Sequence, residues 1–328
     1  MSHPSSLVIV TPVLNDWPSF AKLVEAIDAQ SQLTEWTVTI VAVDDGSRQI
    51  TLPEPSSLRG CVNEIRLVAL NANQGHQRAI ALGLAYVHEN LRAERIVVMD
   101  SDGEDTPTAM LSLLNASAEK PGAIVVAQRA KRSESIVFKT FYTLYKSAFR
   151  MLTGKGMTFG NFALIPADRL PNLLFHSGIW NNFAATMLKS RLPIEFIPTF
   201  RGVRYEGKSS LGFTGLVVHG FSAISVYSDI VIGRIIALLV ASSAVVFLAV
   251  LTILWMKLII GSFVPGYATY VILFLVSMLS IALFTGFLMI ITLLSTREKA
   301  SDMPTQLLPL MIKRVETIRA QTLREAAS

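Results

Sequence analysis

Over the first two hundred positions the apolar residues come in short runs, and between the runs the spacing switches from a strand period to a helix period. The runs at residues 7–10, 38–43, 65–70, 96–99, 124–127 and 194–197 are rich in β-branched and apolar residues and predict strands. Residues 19–30 and 77–87 place apolar side chains at helical spacing among Ala, Leu and Glu, and predict helices. Strand, helix and strand in repeated order imply an α/β fold, a mostly parallel sheet with helices on both faces.

After Pro198 the pattern changes. Residues 213–227 combine Phe213, Leu216, Val217, Phe221, Ile224 and Val226 with Ser and Gly. This suits a helix lying at a membrane interface, although periodicity alone fits a core helix equally well. From Ile235 to Thr296 the single ionisable side chain among Lys, Arg, Asp, Glu and His is Lys257. The apolar runs 235–256 and 268–294 would extend about 33 Å and about 40 Å as helices, against a hydrocarbon core of about 30 Å. Gly261, Pro265 and Gly266 lie between them, so a transmembrane hairpin is expected. Further on, Leu307, Leu308, Met311, Val315 and Ile318 fall near helical spacing with Lys313, Arg314 and Arg319 between, which predicts a surface helix from Ser301 onward. The expected organisation is a globular domain at 1–210, a juxtamembrane segment at 211–230, spans at about 231–256 and 268–295, and a basic tail at 297–328.

Composition agrees with a membrane protein. Of 328 residues 51% are hydrophobic and 16% charged, where soluble domains carry about 25% charged residues. Basic residues flank the spans (Arg201, Arg204, Lys208 and Arg234 before, Arg297, Lys299, Lys313, Arg314 and Arg319 after), whereas the connecting loop has one Lys. By the positive-inside rule both termini are expected on the cytoplasmic side of the inner (plasma) membrane. The amino-terminal stretch has no basic region and too short an apolar core for a signal peptide. The lone Cys61 excludes an intramolecular disulfide and agrees with a reducing compartment. The net charge of +5 is spread near the spans rather than gathered in a stripe, so an anionic lipid surface is the expected partner and nucleic acid is not.

The candidate chemistry sits where strands end. The run Ile96-Val97-Val98-Met99 is followed by four carboxylates in six positions, Asp100, Asp102, Glu104 and Asp105. Carboxylates this close repel one another unless a cation sits among them, and hard divalent ions take such oxygens while bridging to substrate phosphates. The competing reading is a solvated loop capping the next helix, with Asp105 or Thr106 as N-cap and Pro107 in the first turn. Two more strand ends carry polar groups: Asp44-Asp45-Gly46-Ser47, and Pro12 through Asn15 and Asp16. In a parallel sheet the three ends face one crevice, where a carboxylate can accept from a ribose hydroxyl or a base imide. Asn73-Gln74-Gly75-His76-Gln77 then opens a helix, and His76 is either a diphosphate contact or a hydrogen-bonded structural residue. Trp180 suits either a sugar pocket or ordinary packing.

In this order the motifs resemble the family 2 inverting glycosyltransferases, and more closely the polyprenyl-phosphate glycosyltransferases akin to dolichyl-phosphate mannose synthase. The matching features are Pro12 to Asp16, Val43 to Ser47, Asn73 to Ala79, Asp100-Ser101-Asp102, Arg129 with Arg132, Phe141-Tyr142, Gly160-Asn161-Phe162, Arg204 with Gly207 and Ser209, and the hairpin. The resemblance implies a GT-A, Rossmann-like catalytic domain with Pro12, Asp16, Asp44 and Ser47 around the nucleotide, and Gly75 and His76 beside it. It implies Asp100, Asp102 and Glu104 near a Mg²⁺ or Mn²⁺ ion on the sugar diphosphate, and Arg129, Arg132 and Arg204 on phosphate oxygens. A nucleotide-sugar donor, a polyprenyl phosphate acceptor (undecaprenyl or dolichyl), and assembly into a homo-oligomer such as a tetramer through the hairpins are implied likewise. Three positions depart from the family pattern. Glu104 stands for a usual Gln and adds a charge; Asn161 stands for a common Asp and can orient an acceptor but not act as base; Leu14 stands for a common Tyr. A processive polysaccharide synthase would need a Gln-x-x-Arg-Trp segment, which the sequence lacks, and a non-catalytic nucleotide-fold scaffold would not need the acidic motifs.

Overall fold

The computed structural model describes residues 5–129, 136–207, 213–259, 261, 266–298 and 302–320. In chain order the elements are β1 (Ser6–Val13), α1 (Trp17–Asp28), β2 (Thr37–Asp44), β3 (Val62–Leu70), α2 (His76–Asn90), β4 (Arg95–Val98), α3 (Pro107–Glu119), β5 (Ile124–Arg129), α4 (Ile136–Thr153) and β6 (Ala163–Pro166). There follow α5 (Leu170–Leu174), α6 (Phe183–Lys189), β7 (Ile194–Thr199), α7 (Phe213–Ser225), α8 (Ser228–Ile259), α9 (Tyr267–Glu298), α10 (Pro304–Met311) and β8 (Ile312–Arg319). They divide into two compact units. One comprises Met1–Ser147, Gly156–Val226 and Asp302–Ser328, the other Ala148–Lys155 and Tyr227–Ser301.

In the first unit the described strands form one sheet in the order β7-β5-β6-β4-β1-β2-β3-β8. Alternate residues of each strand point to opposite faces. Val8 and Val10 of β1, with Val41, Val43 and Val98, pack beneath α2 and α6, whereas Leu7 and Ile9, with Ile40, Ile65 and Leu67, pack beneath α1 and α3. Both faces are therefore buried, which is why the strands read as continuous apolar runs rather than alternating ones. Burying each Val, Leu or Ile contributes about 1.5–3 kcal/mol. This is the mostly parallel, helix-flanked GT-A arrangement that the motif order implied.

Chain direction decides what collects at one edge. β4, β1, β2 and β3 are mutually parallel. β6 is antiparallel to both β4 and β5, so β5 recovers the direction of β4, and β7 runs parallel to β5. The carboxyl ends of all six parallel strands and the amino end of β6 consequently lie along the same edge. Residues 14–16, 44–47, 71–75, 100–105, 129 and 200–204, with 160–162 leading into β6, meet there.

Two elements differ from expectation. The four-residue β6 is too short to show a period and was not anticipated. The predicted tail helix exists only as α10; residues 312–319 form β8, antiparallel to β3 with Glu64 opposite Arg319 and Val68 opposite Val315. Spacings of three and four among Leu308, Met311, Val315 and Ile318 mimic a helix, but Ile312, Val315, Thr317 and Ile318 are β-branched and suit a strand, and the unpaired N–H and C=O groups of β3 select it.

The second unit is dominated by α8 and α9, two helices long and apolar enough to cross a membrane, with none of their apolar windows buried within the protein. Their hydroxyls bond back one turn, Thr252 to Leu248 O at 2.9 Å and Ser277 to Leu273 O at 2.8 Å, so those polar groups need no water. Within this unit the Arg234 guanidinium donates to the Met151 carbonyl at 2.6 Å. In the first unit, α7 forms where a helix was expected.

Candidate active site

The loop after β4 is held in place from both sides. Asp105 Oδ2 accepts from the Asp100 backbone N–H at 3.1 Å and Asp102 Oδ1 accepts from Glu104 N–H at 2.9 Å, folding the four carboxylates into a compact turn. Asp105 is thus internal to the turn rather than the cap of α3, which is Thr106, whose Oγ1 accepts from Ala109 N–H at 3.2 Å. Gly103 lies at φ +86° with the Tyr205 ring where a side chain would stand. The segment after β7 crosses over this turn: Tyr205 N–H donates to Asp102 O and Gly202 N–H to Glu104 O, each at 2.9 Å.

That segment carries the neutralising charge. Arg204 places Nη1 3.2 Å from Asp102 Oδ2 and Nη2 3.5 Å from Asp16 Oδ2, joining two strand ends that lie far apart in sequence. Arg201 forms an ion pair with Glu104. Burial pulls Arg201 below the ordinary guanidinium range, opposed by the charges of Asp102 and Asp100. Sequence reading places Arg201 only among the basic residues preceding the first span, because nothing local ties it to residue 104. The charge added by Glu104 thus has a dedicated partner. Arg201→Ala is expected to lower stability by about 1–3 kcal/mol by leaving a half-buried carboxylate unpaired, and adding Glu104→Gln should restore most of that loss. Chemical denaturation of the four proteins of the cycle checks it; additive losses would refute the pairing.

The nucleotide-side groups are equally preorganised. Asp44 accepts from Ser47 N–H at 3.1 Å and 3.3 Å, and Ser47 Oγ accepts from Asn15 N–H at 2.8 Å. Asn15 sits in the left-handed region at φ 54°, and its side chain accepts from Arg48 N–H at 2.9 Å. A hollow of about 260 Å³ lined by Asn15, Trp17, Pro18, Arg48, Gln49 and Thr51 adjoins these groups. Asp16 Oδ1 accepts from Ser19 Oγ at 2.6 Å, and Pro12 is within β1, paired with Val43. Asp45 is buried and accepts from Gln74 N–H at 2.6 Å and Gly75 N–H at 2.9 Å, tying the end of β2 to the start of α2. Burial raises its pKa, and the two N–H donors partly offset this.

On the other flank, His76 at the first turn of α2 places Nε2 3.3 Å from Asp100 Oδ1 and 3.1 Å from Asn161 Nδ2. Desolvation pulls the imidazole down, and the Asp100 carboxylate together with the charges of Asp45 and Asp105 more than reverses this, so its pKa is raised. Gln77 continues the network: its Nε2 donates to Asn161 Oδ1 at 3.3 Å and its Oε1 accepts from Phe183 N–H at 2.7 Å. Gln77 stands in the quoted motif but carries no sequence signal that marks it off as a site residue. Trp180 donates to Asp302 O at 2.7 Å with Arg78 over its ring, a packing role.

The expected site residues thus fall into three groups. Asp16, Asp102, Glu104 and Arg204 form one ion-paired cluster with Arg201; Asp100, His76 and Asn161 form a second; Pro12, Asp44, Ser47 and Gly75 line the same sheet edge. Arg129 ends β5 at this edge with its side chain outside the described residues, as are the side chains of Phe141 and Tyr142, and Arg132 and Ser209 lie wholly outside them.

The sequence model for "Glycosyl transferase family 2" matches residues 8–177, more than half of the chain. The chain belongs to glycosyltransferase family 2. Among curated relatives of this glycosyltransferase, the undecaprenyl-phosphate 4-deoxy-4-formamido-L-arabinose transferase of Yersinia enterocolitica is 31% identical over 153 residues, 45% of this chain and 44% of that protein. The enzyme of the same name from Klebsiella pneumoniae is 29% identical over 152 residues, with the same coverage. The chain therefore spans under half the length of the curated relatives it matches. Among solved structures, glucosyl-3-phosphoglycerate synthase from Mycobacterium tuberculosis, in complex with Mn²⁺, UDP-glucose and phosphoglyceric acid, is 13% identical with a TM-score of 0.48, covering 69% of this chain and 80% of that one.

Proposed function

We propose that this enzyme transfers one sugar from a nucleotide-sugar to polyprenyl phosphate at the cytoplasmic face of the membrane, with inversion and in dependence on Mg²⁺ or Mn²⁺. The observation that carries the reading is the single sheet edge along which the Asp44, Asp100 and Asp102 carboxylates lie with the Arg204 guanidinium, in a chain that also holds two bilayer-length apolar helices. The names of the undecaprenyl-phosphate transferases above support the acceptor class.

The donor set fits a hard divalent cation. Asp100 and Asp102 offer carboxylate oxygens from one tight turn, and Mg²⁺ is commonly held by one or two carboxylates and completed by substrate phosphate and water. Among the described residues no three His, Cys, Asp or Glu side chains are grouped to hold a metal ion, so substrate phosphate and water would supply the ligands beyond Asp100 and Asp102. When bound, the ion stabilises the negative charge that develops on the leaving diphosphate.

The chain's own residues do the rest. Asp44 and Ser47 orient the nucleoside, and the backbone N–H groups at the start of α2 face anionic oxygens. Arg204, released from Asp102 and Asp16, together with Arg129 and Arg132, clamps phosphate oxygens in bidentate fashion. The acceptor phosphate is anionic near neutral pH and attacks without a strong base, which suits Asn161, a side chain that cannot take up a proton. The apolar helices tether the catalytic unit to the surface where a lipid acceptor resides.

Membranes containing the protein are expected to convert labelled nucleotide-sugar and undecaprenyl phosphate into a lipid-linked monosaccharide, with the product identified by mass spectrometry. Chelation by EDTA should lower the rate at least about 100-fold, and Mg²⁺ or Mn²⁺ should restore it. A polymeric product, or undiminished transfer in EDTA, would overturn the reading.

A further inference from the structure

The direction of a side-chain amide is set by its partners, because oxygen only accepts and nitrogen only donates. One backbone group fixes a whole chain of such choices beside Asp100. Phe183 N–H, at the start of α6, is a donor that cannot reverse, and it meets Gln77 Oε1 at 2.7 Å. Gln77 must therefore point Nε2 the other way, where it donates to Asn161 Oδ1 at 3.3 Å. With its oxygen engaged, Asn161 can only turn Nδ2 toward His76 Nε2, 3.1 Å away. All three side chains lie in the same compact unit.

We propose that Gln77 is a positioning residue of the transfer reaction, copying the direction of the Phe183 backbone N–H into the Asn161 amide so that this side of the site presents a hydrogen-bond donor. An Asp at position 161 would present an acceptor on the same spot. The difference matters because the groups that gather here in the reaction are phosphate oxygens, and a donor edge favours negative charge that an acceptor edge repels. His76 Nε2 reports the choice. Asp100 Oδ1, 3.3 Å away, calls for a proton on Nε2, whereas the Asn161 N–H calls for its lone pair. With the amide locked, neutral His76 carries its single proton on Nδ1.

The role assigned to Gln77 rests on the transferase reading, so its test has two arms. In the first, the full-length protein labelled with ¹⁵N-histidine is held above the imidazole titration range, and the His76 signal is assigned by its loss in His76→Asn. The ring is expected as the Nδ1–H tautomer. In Gln77→Glu one carboxylate oxygen still accepts from Phe183 while the other draws the Asn161 N–H toward itself, turning Asn161 Oδ1 to His76. Asn161→Asp also places an oxygen there, and both variants are expected to move the proton to Nε2 with the melting temperature retained. In the second arm, Gln77→Glu should lower kcat about 10–100-fold while the donor KM stays within about 3-fold. Gln77→Met, which leaves the amide free to turn, should lose less than Gln77→Glu. An Nε2–H tautomer in the unaltered protein, an unchanged tautomer in Gln77→Glu, or full activity of that variant overturns the proposal. Correct tautomers in a protein that transfers no sugar would uphold the amide direction and sink the transferase reading instead.

Discussion

Asp102→Ala is expected to reduce sugar transfer at least about 1000-fold, as removal of a principal electrostatic group from a preorganised site does. The side chain has two duties that can be separated. Its Oδ1 closes the acidic turn by accepting from Glu104 N–H at 2.9 Å, and its Oδ2 carries the charge that Arg204 holds at 3.2 Å and a cation would hold in its place. Asp102→Asn keeps an oxygen for the turn and removes the charge, so it should melt like the unaltered protein yet transfer almost no sugar. Asp102→Ala should lose activity and some stability together, because Arg204 then retains Asp16 alone of its two carboxylate contacts. Initial rates across a Mn²⁺ titration, set beside thermal melts, check both. Full activity in either variant would remove Asp102 from the mechanism.

The second large effect lies at the outer strand of the sheet, beside β3. Deleting residues 304–320 is expected to prevent the catalytic unit from accumulating in folded form. The deletion strips β8 from the edge of β3 along the pairs from Glu64 with Arg319 to Leu70 with Ile312. It also removes Leu308, which is 5% exposed, and the Leu310 and Met311 carbonyls that Asn71 binds at 2.8 Å through its side chain and backbone N–H. Each net hydrogen bond is worth about 0.5–1.5 kcal/mol and a buried Leu about 2–5 kcal/mol. Together these approach a typical domain stability of about 5–15 kcal/mol. Detergent-extracted yield and limited proteolysis measure the outcome, with Val315→Pro as a milder break in the same ladder. A deletion variant that melts like the full chain would show β8 to be dispensable.

These two sites differ in how legible they are along the chain. The acidic turn could be read because all its carboxylates lie within six positions after an apolar run. Local spacing put Asp100, Asp102, Asp44 and Ser47 at strand ends, and motif order supplied the family. β8 could not be read so. Its apolar residues fall at helical spacing, and what makes the segment a strand is the open edge of a strand more than two hundred residues earlier.

The arginines and amides follow the same rule. Arg204 was expected on phosphate, but its contacts with Asp102 and Asp16 and the pairing of Arg201 with Glu104 join residues about a hundred or more positions apart. Gln77 acquires a direction only because α6 brings the Phe183 N–H against it. By itself the sequence determined the α/β class, the strand ends that carry the chemistry and the two bilayer-length helices, since each depends on residues within one or two turns of one another. The tertiary structure alone decided which charges neutralise one another, which way the amides point and what closes the edge of the sheet. Those outcomes depend on proximity between distant segments, and short-range periodicity carries no record of it.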